Sequence, residues 1–434
     1  MSEENKWRQA SSKKVASLLQ RVLGYSTVQI AVQGVNAVTG FMLVRVLAKE
    51  DYAWFTIANS LMATVNILGD SGLGSATSVV GGQLVTNTSA FAVLEATIRR
   101  LRLRFVAISC ALVLPLGWLL LERQQVPVIV ETGLLGLLAM SAIPAAEVAL
   151  LVSVRRLRND LSDLMKADVV GCVLRLTLVF SFIWSGGGVF MALAATLVAT
   201  LAQMAILAQS KGDMPSIRGG GTVDLHAAVM RVVKGMFPLA VFQCVQGHLS
   251  TWVVAIFSET HAVAEIGAVS RLAFIFSCLA IPMVHLGGPA IARCSSSGKL
   301  RHLVSLSVGG TIIVSSLAVL GIAAAASKVL WVFGANYAGL ERELTWYAAS
   351  QGVGLISAVL WTIVMSKGWL AGAWMHIPLT ITIQVCAVGV LDLRKIVDVI
   401  LFSSVSSVAG IAIWTWMIWK GLNKQGEKEH RVAE

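Results

Sequence analysis

Twelve runs of roughly twenty mostly apolar residues follow one another along this chain, and each could cross a hydrocarbon layer of ~30 Å as a helix. Their approximate limits are 24–45, 52–80, 105–121, 127–152, 168–185, 189–209, 233–257, 263–291, 303–325, 344–365, 369–390 and 397–419. Nothing else in the sequence restricts the fold so strongly. A backbone in lipid has no water to bond to, so it must satisfy its own polar groups, and a helix does this within one segment. The expected fold class is an all-α integral membrane protein. With 56% hydrophobic and 13% charged residues, the 434-residue chain is far from the balance of a soluble domain.

Lysines and arginines orient the runs. When alternate connections are assigned to the inside, 25 of the 34 basic residues fall there, seven fall outside and two, Arg175 and Arg271, lie within runs. This asymmetry places both termini in the cytoplasm. Only the outer turn with Arg394 and Lys395 runs against it. The net charge of +11 is dispersed in these short clusters, which argues against nucleic acid as a partner. The six cysteines lie in or beside apolar runs without metal-ligand spacing, so no metal or cofactor is expected.

Residues 1–23 set Trp7, Val15, Leu18 and Leu19 against lysines and arginines, the pattern of an amphipathic helix on the cytoplasmic surface. No short apolar run with a cleavage site precedes the first long one, so that run is expected to direct insertion. Residues 211–232, with Pro215 and three consecutive glycines, form a cytoplasmic linker that divides the chain into a first lobe (24–210, six spans), a second lobe (233–420, six spans) and a tail (421–434). A shift of 214 residues lays 45–76 on 259–290, aligning Asp51 with Glu265, Gly74 with Gly288 and Ala76 with Ala290. Both stretches read as an acidic outer turn followed by a long helix with a glycine break in its inner half. Two pseudo-symmetric six-helix lobes around a central cavity follow from this plan.

The stretch Arg45–Ala76 also carries a resemblance. An arginine, the charged turn Lys49-Glu50-Asp51, Tyr52, and an apolar run ending in Gly69-Asp70-Ser71-Gly72-Leu73-Gly74 resemble the first hairpin of oligosaccharide flippases. These form the polysaccharide-transport (O-antigen) branch of the superfamily of multidrug and toxic compound extrusion transporters and lipid II flippases. "KGMFPLAVFQ", "AEIGAVSRLA" and "WVFGANYAGLERELTWY" extend the likeness over most of the chain. The resemblance implies alternating-access transfer of a polyprenyl-pyrophosphate-linked oligosaccharide across a bacterial inner membrane. It implies membrane lipids and polysaccharide polymerase or assembly proteins as partners.

Polar groups within the spans are the candidate functional residues, because a charge at the bilayer centre costs roughly 2.5–3.5 kcal/mol even on insertion scales. Arg271 reads either as a cavity guanidinium that grips a pyrophosphate with its planar fork or as the partner of a buried carboxylate. Arg45 is an interfacial anchor or a ligand contact. Arg175 is a cavity residue or the partner of Asp168. Asp70 is a coupling carboxylate or a cap on a helix break. Gln29, Gln33, Asn36 and Thr39 share a face of the first span, and Gln243, Gln246 and His248 cluster on the seventh. Each group reads as interhelical bonding or as a wet surface for sugar hydroxyls.

Three function classes are open to such a chain. A flippase for an anionic lipid-linked glycan suits the basic cavity. A multidrug or cation antiporter would need cavity carboxylates, which the first and seventh spans lack beyond their starting turns. A polysaccharide polymerase or ligase would need a large catalytic outer loop, whereas the longest here, 326–343, holds no acid-base constellation. An enzyme is therefore not expected.

Overall fold

The computed structural model describes residue 24 and residues 27–84, 87–158, 160–184, 188–209, 225–294, 296–369 and 372–433. The expected surface helix in 1–23 and most of the expected linker lie outside these residues. The described chain is helical from end to end. In order, the helices are α1 (Thr27–Val46), α2 (Lys49–Asp70), α3 (Leu73–Leu84), α4 (Thr88–Arg123), α5 (Val128–Leu157), α6 (Leu161–Trp184) and α7 (Val189–Gln209) in the first half. The second half holds α8 (Leu225–Phe257), α9 (Thr260–Ser270), α10 (Ala273–Pro282), α11 (Gly288–Arg293), α12 (Ser297–Ala324), α13 (Ala326–Phe333), α14 (Glu341–Lys367), α15 (His376–Val388) and α16 (Ile396–Ala433).

Among the described residues nine helices are long and apolar enough to cross a membrane. Three more crossings complete twelve. The second, α2 with α3, is broken; α6 starts with charged residues; and α15 has 13 residues, about 20 Å at the helical rise, and is led in by a 3-10 turn at Ala373–Met375. The chain is a multi-pass membrane protein.

The breaks have local causes. Ser71 (φ 39°) and Gly72 (φ 91°) both adopt left-handed backbone, which ends α2 and redirects the chain into α3. A side chain at Gly72 would also strike the other half, since a Cβ there would come 2.8 Å from Met236 Cβ. The eighth crossing differs from the single glycine break expected for it. It turns once at Arg271–Leu272, between α9 and α10, and again through a π-helical stretch at Met283–Gly287 before α11. Under the 214-residue shift the break at 71–72 falls on 285–286, inside that π-helical stretch.

Several helices overrun their apolar cores. α8 begins at Leu225, inside the residues expected to be linker, because Leu225, Val229 and Val233 form an i, i+4, i+8 stripe. That stripe packs with Leu73, Phe91, Leu94 and Ile98 of α3 and α4. α4 reaches back to Thr88, capped by the Asn87 side chain on Ala90 N–H (3.1 Å). The expected tail is a continuation of α16 to Ala433.

Candidate functional site

The two halves meet through the starts of the second and eighth crossings. Lys49 Nζ lies 2.6 Å from Glu265 Oε1, with both side chains about one-fifth exposed (20% and 21%). The Lys49 ammonium also sits 5.7 Å from the centre of the Tyr337 ring, a favourable cation–π distance. Burial pushes the Tyr337 phenol up from its ordinary pKa. Further along the same two helices, Thr56 of α2 packs directly on Gly267 of α9, where any larger residue would separate the helices. Beside this seam, Gln124 Nε2 donates to Ala255 O (2.6 Å) and Ser258 O (3.3 Å), so the α4–α5 turn caps the last carbonyls of α8. Trp252 Nε1 donates to Ser60 Oγ (3.3 Å) between α8 and α2. These contacts tie the two halves together at this end.

Beside these contacts stands Arg271. Its Nε donates to the Tyr52 hydroxyl at 2.9 Å, and its guanidinium lies 5.8 Å from the Tyr52 and Phe55 ring centres. α1 approaches it closely through Gly40, where a Cβ would be 3.1 Å from Arg271 Cδ. Arg271 thus reaches from the second half into the angle between α1 and α2. Arg175, on α6, is close enough to interact with it electrostatically, as is Tyr347 of α14. Arg175 Nε is buried without a hydrogen-bond partner among the described residues. No carboxylate forms an ion pair with either arginine among the described residues. The pairing of Arg175 with Asp168 does not form: Asp168 instead accepts Gln29 Nε2 at 2.7 Å, because α1 lies against that face of α6.

The other sequence candidates are dispersed. Arg45 is exposed near the C-terminal end of α1 and stacks over Trp331 of α13 (5.4 Å), the arrangement of an interfacial anchor. On the first-span stripe, Thr39 bonds its own backbone at Val35 O (2.9 Å), Gln33 is exposed and Asn36 is half-buried. On α8, Gln246 exchanges two hydrogen bonds with Gln384 of α15 (3.0 and 2.9 Å), His248 stacks on Trp252, and Gln243 faces a separate cavity within the second half.

Asp70 ends α2 at the break. Its carboxylate accepts the Gly74 N–H (3.2 Å), which caps the start of α3, and forms an ion pair with Arg102 of α4. Arg102 also donates to Ala146 O (3.3 Å) and is almost wholly buried. Sequence reasoning missed Arg102 by grouping it with inner-loop charges. Leu94, Ile98 and Leu101, apolar at helical spacing just before it, were the available sign that α4 extends inward past it. Asp70 and Arg102 line a cavity of about 420 Å³ with Asn59, Asn66, Thr196 and Gln203.

No family model and no curated protein matches the sequence. Solved structures do match. A multidrug resistance MATE family transporter of the MOP superfamily, in an inward-facing conformation, superposes with TM-score 0.73 at 14% identity over 93% of this chain and 99% of that one. The chain has the fold of the MOP superfamily. The lipid II flippase MurJ, in an inward closed conformation, gives TM-score 0.72 at 10% identity over 93% and 90% of the two chains. A MOP superfamily transporter from Pyrococcus furiosus, described as having a binding pocket of reversed polarity that suggests a different function, gives 0.64 at 14% identity over 94% and 95%. The superpositions show that this chain shares the all-helical fold of these proteins over nearly its whole described length.

Proposed function

We propose that this MOP-fold chain is a flippase that moves a polyprenyl-pyrophosphate-linked oligosaccharide across the cytoplasmic membrane by alternating access. One observation carries the reading: Arg175 and Arg271 stand within electrostatic range of each other between the halves, and no described carboxylate neutralises them. Two like charges held together inside a membrane protein are costly unless an anion joins them, and a pyrophosphate offers oxygens to both forks. In this reading Gln33 and Asn36 on α1 meet sugar hydroxyls, His248 does so on α8, Gln243 is left to the separate second-half cavity, and Arg45 guides the headgroup at the outer surface. Asp70 is a candidate for coupling. Outward passage of a dianion is favoured by an inside-negative potential, by about 2.3 kcal/mol per charge per 100 mV.

The charge distribution also supports both termini in the cytoplasm and the division into lobes 24–210 and 233–420. A multidrug or cation antiporter is the second reading, favoured by the MATE neighbours. The paired guanidiniums oppose it, because a cation would need a carboxylate where they stand.

The test is complementation in a bacterial strain lacking the chain, scored by inner-leaflet accumulation of lipid-linked sugar and by protein abundance. Arg271→Lys keeps the charge and loses the fork, so transport should fall substantially at normal abundance. Arg271→Ala should be nearly inactive. Full transport by Arg271→Ala at normal abundance would overturn the reading.

A further inference from the structure

The second half contains a polar cavity that the proposed transport path does not use. It holds about 350 Å³ between α8, α14, α15 and α16, and no charged residue among those described lines it. His376, at the start of α15, is 3% exposed at its edge. Its Nε2 lies 2.9 Å from the Ser406 carbonyl oxygen. A carbonyl only accepts, so Nε2 carries the ring proton and Nδ1 presents a bare lone pair. That nitrogen is buried without a partner among the described residues, as is the hydroxyl of the fully buried Thr380 one turn further along α15.

Every helix packed here faces His376 with neutral groups. α8 contributes Phe242, with its ring 5.3 Å away edge-on, and Gln243. α14 contributes Ser357 and Trp361, and α16 contributes Ser406, Ser407 and Trp414, whose ring is 5.1 Å away. An unpartnered acceptor in such a place is unusual, because buried polar atoms are nearly always bonded. A divalent metal ion would call for anionic ligands, and no carboxylate or cysteine is among the described lining residues. A proton requires only the lone pair.

We propose that His376 is a proton-binding site of the second half. One proton passes from cavity water to Nδ1, no other bond changes, and the imidazolium then has two N–H donors. Nε2 keeps Ser406 O, while Nδ1–H needs an acceptor, and the Ser357 and Gln243 side-chain oxygens share the cavity lining with His376. Protonation therefore repacks α15, and the inference is independent of the substrate assigned to the central cavity.

The test uses the full chain in lipid nanodiscs with ¹⁵N-labelled histidine. The resonance lost in His376→Gln should titrate in a single step as the pH is lowered through the ordinary histidine range and below it, from an Nε2-protonated neutral ring to imidazolium. Tryptophan fluorescence should fall over the same range, because imidazolium quenches the adjacent Trp414, and His376→Gln should abolish that fall. If His376→Gln does not fold, Trp414→Phe identifies the same resonance by its altered ring-current shift, and it must still titrate. A His376 signal that stays neutral throughout, or a fluorescence change that persists in His376→Gln, overturns the proposal.

Discussion

Removal of the Lys49–Glu265 ion pair should loosen the two halves at the end where it joins them. The pair joins α2 to α9 at 2.6 Å and shields both side chains to about four-fifths. An exposed ion pair contributes about 0.2–1 kcal/mol, whereas breaking a buried one costs about 3–5 kcal/mol. A pair at this depth lies between those limits, and we take about 1–3 kcal/mol. If the pair exists only while the two halves are closed at this end, its loss shifts the closed-to-open equilibrium by about 5- to 150-fold. Lys49→Met and Glu265→Gln should each raise the open fraction, the double variant should add little more, and the exchange Lys49→Glu with Glu265→Lys should restore closure. Spin labels at Gln125 and Thr260, one on each half beside the seam, report the separation by pulsed electron resonance. A distance distribution unchanged in both single variants would refute the reasoning, since it would mean that the seam closes without the pair.

Asp70 and Arg102 should respond unequally to truncation, because Arg102 is 3% exposed and Asp70 is 40% exposed. Asp70→Ala strands a buried guanidinium at about 3–5 kcal/mol and uncaps α3, so abundance and unfolding temperature should drop well below those of Arg102→Met; equal losses would contradict this account. Gly72→Ala places a Cβ on left-handed backbone and within 2.8 Å of Met236 Cβ, so it should cost about 1–3 kcal/mol, and a variant as stable as the parent on thermal unfolding would count against the described break. At the outer turn, burial and then the neighbouring Glu50 hold the Asp51 carboxyl above its usual range. A raised folded-state pKa means the folded state holds the proton more tightly, so this contribution to stability is complete below the unfolded value and is lost as pH rises through the folded one. Asp51→Asn should therefore unfold at a higher temperature than the parent at neutral pH, and the two should converge as pH falls below about 4; a gap that widens in acid would reverse the assignment.

Much of this protein is legible from residue order, for a reason specific to membranes. A crossing helix must be apolar over a fixed length, so the runs report α4, α5, α7, α12, α14 and α16 almost directly, and the Gly69–Gly74 stretch marks the break between α2 and α3. Helix ends were less legible, because nothing in apolarity alone distinguishes an inner loop from a helix that continues past the lipid; Arg102 and Leu225 were misplaced for that reason. The sequence alone determined that Arg271 and Arg175 are charges inside the membrane. Only the tertiary structure decided that Arg175 comes within electrostatic range of Arg271 and leaves Asp168 to Gln29, that Asp70 answers to Arg102, and that His376 meets Ser406 with one nitrogen left bare. Those pairings join residues on different helices, and which side chains share a space depends on how helix faces rotate and stack, a geometry that packing sets and that no spacing along one helix records.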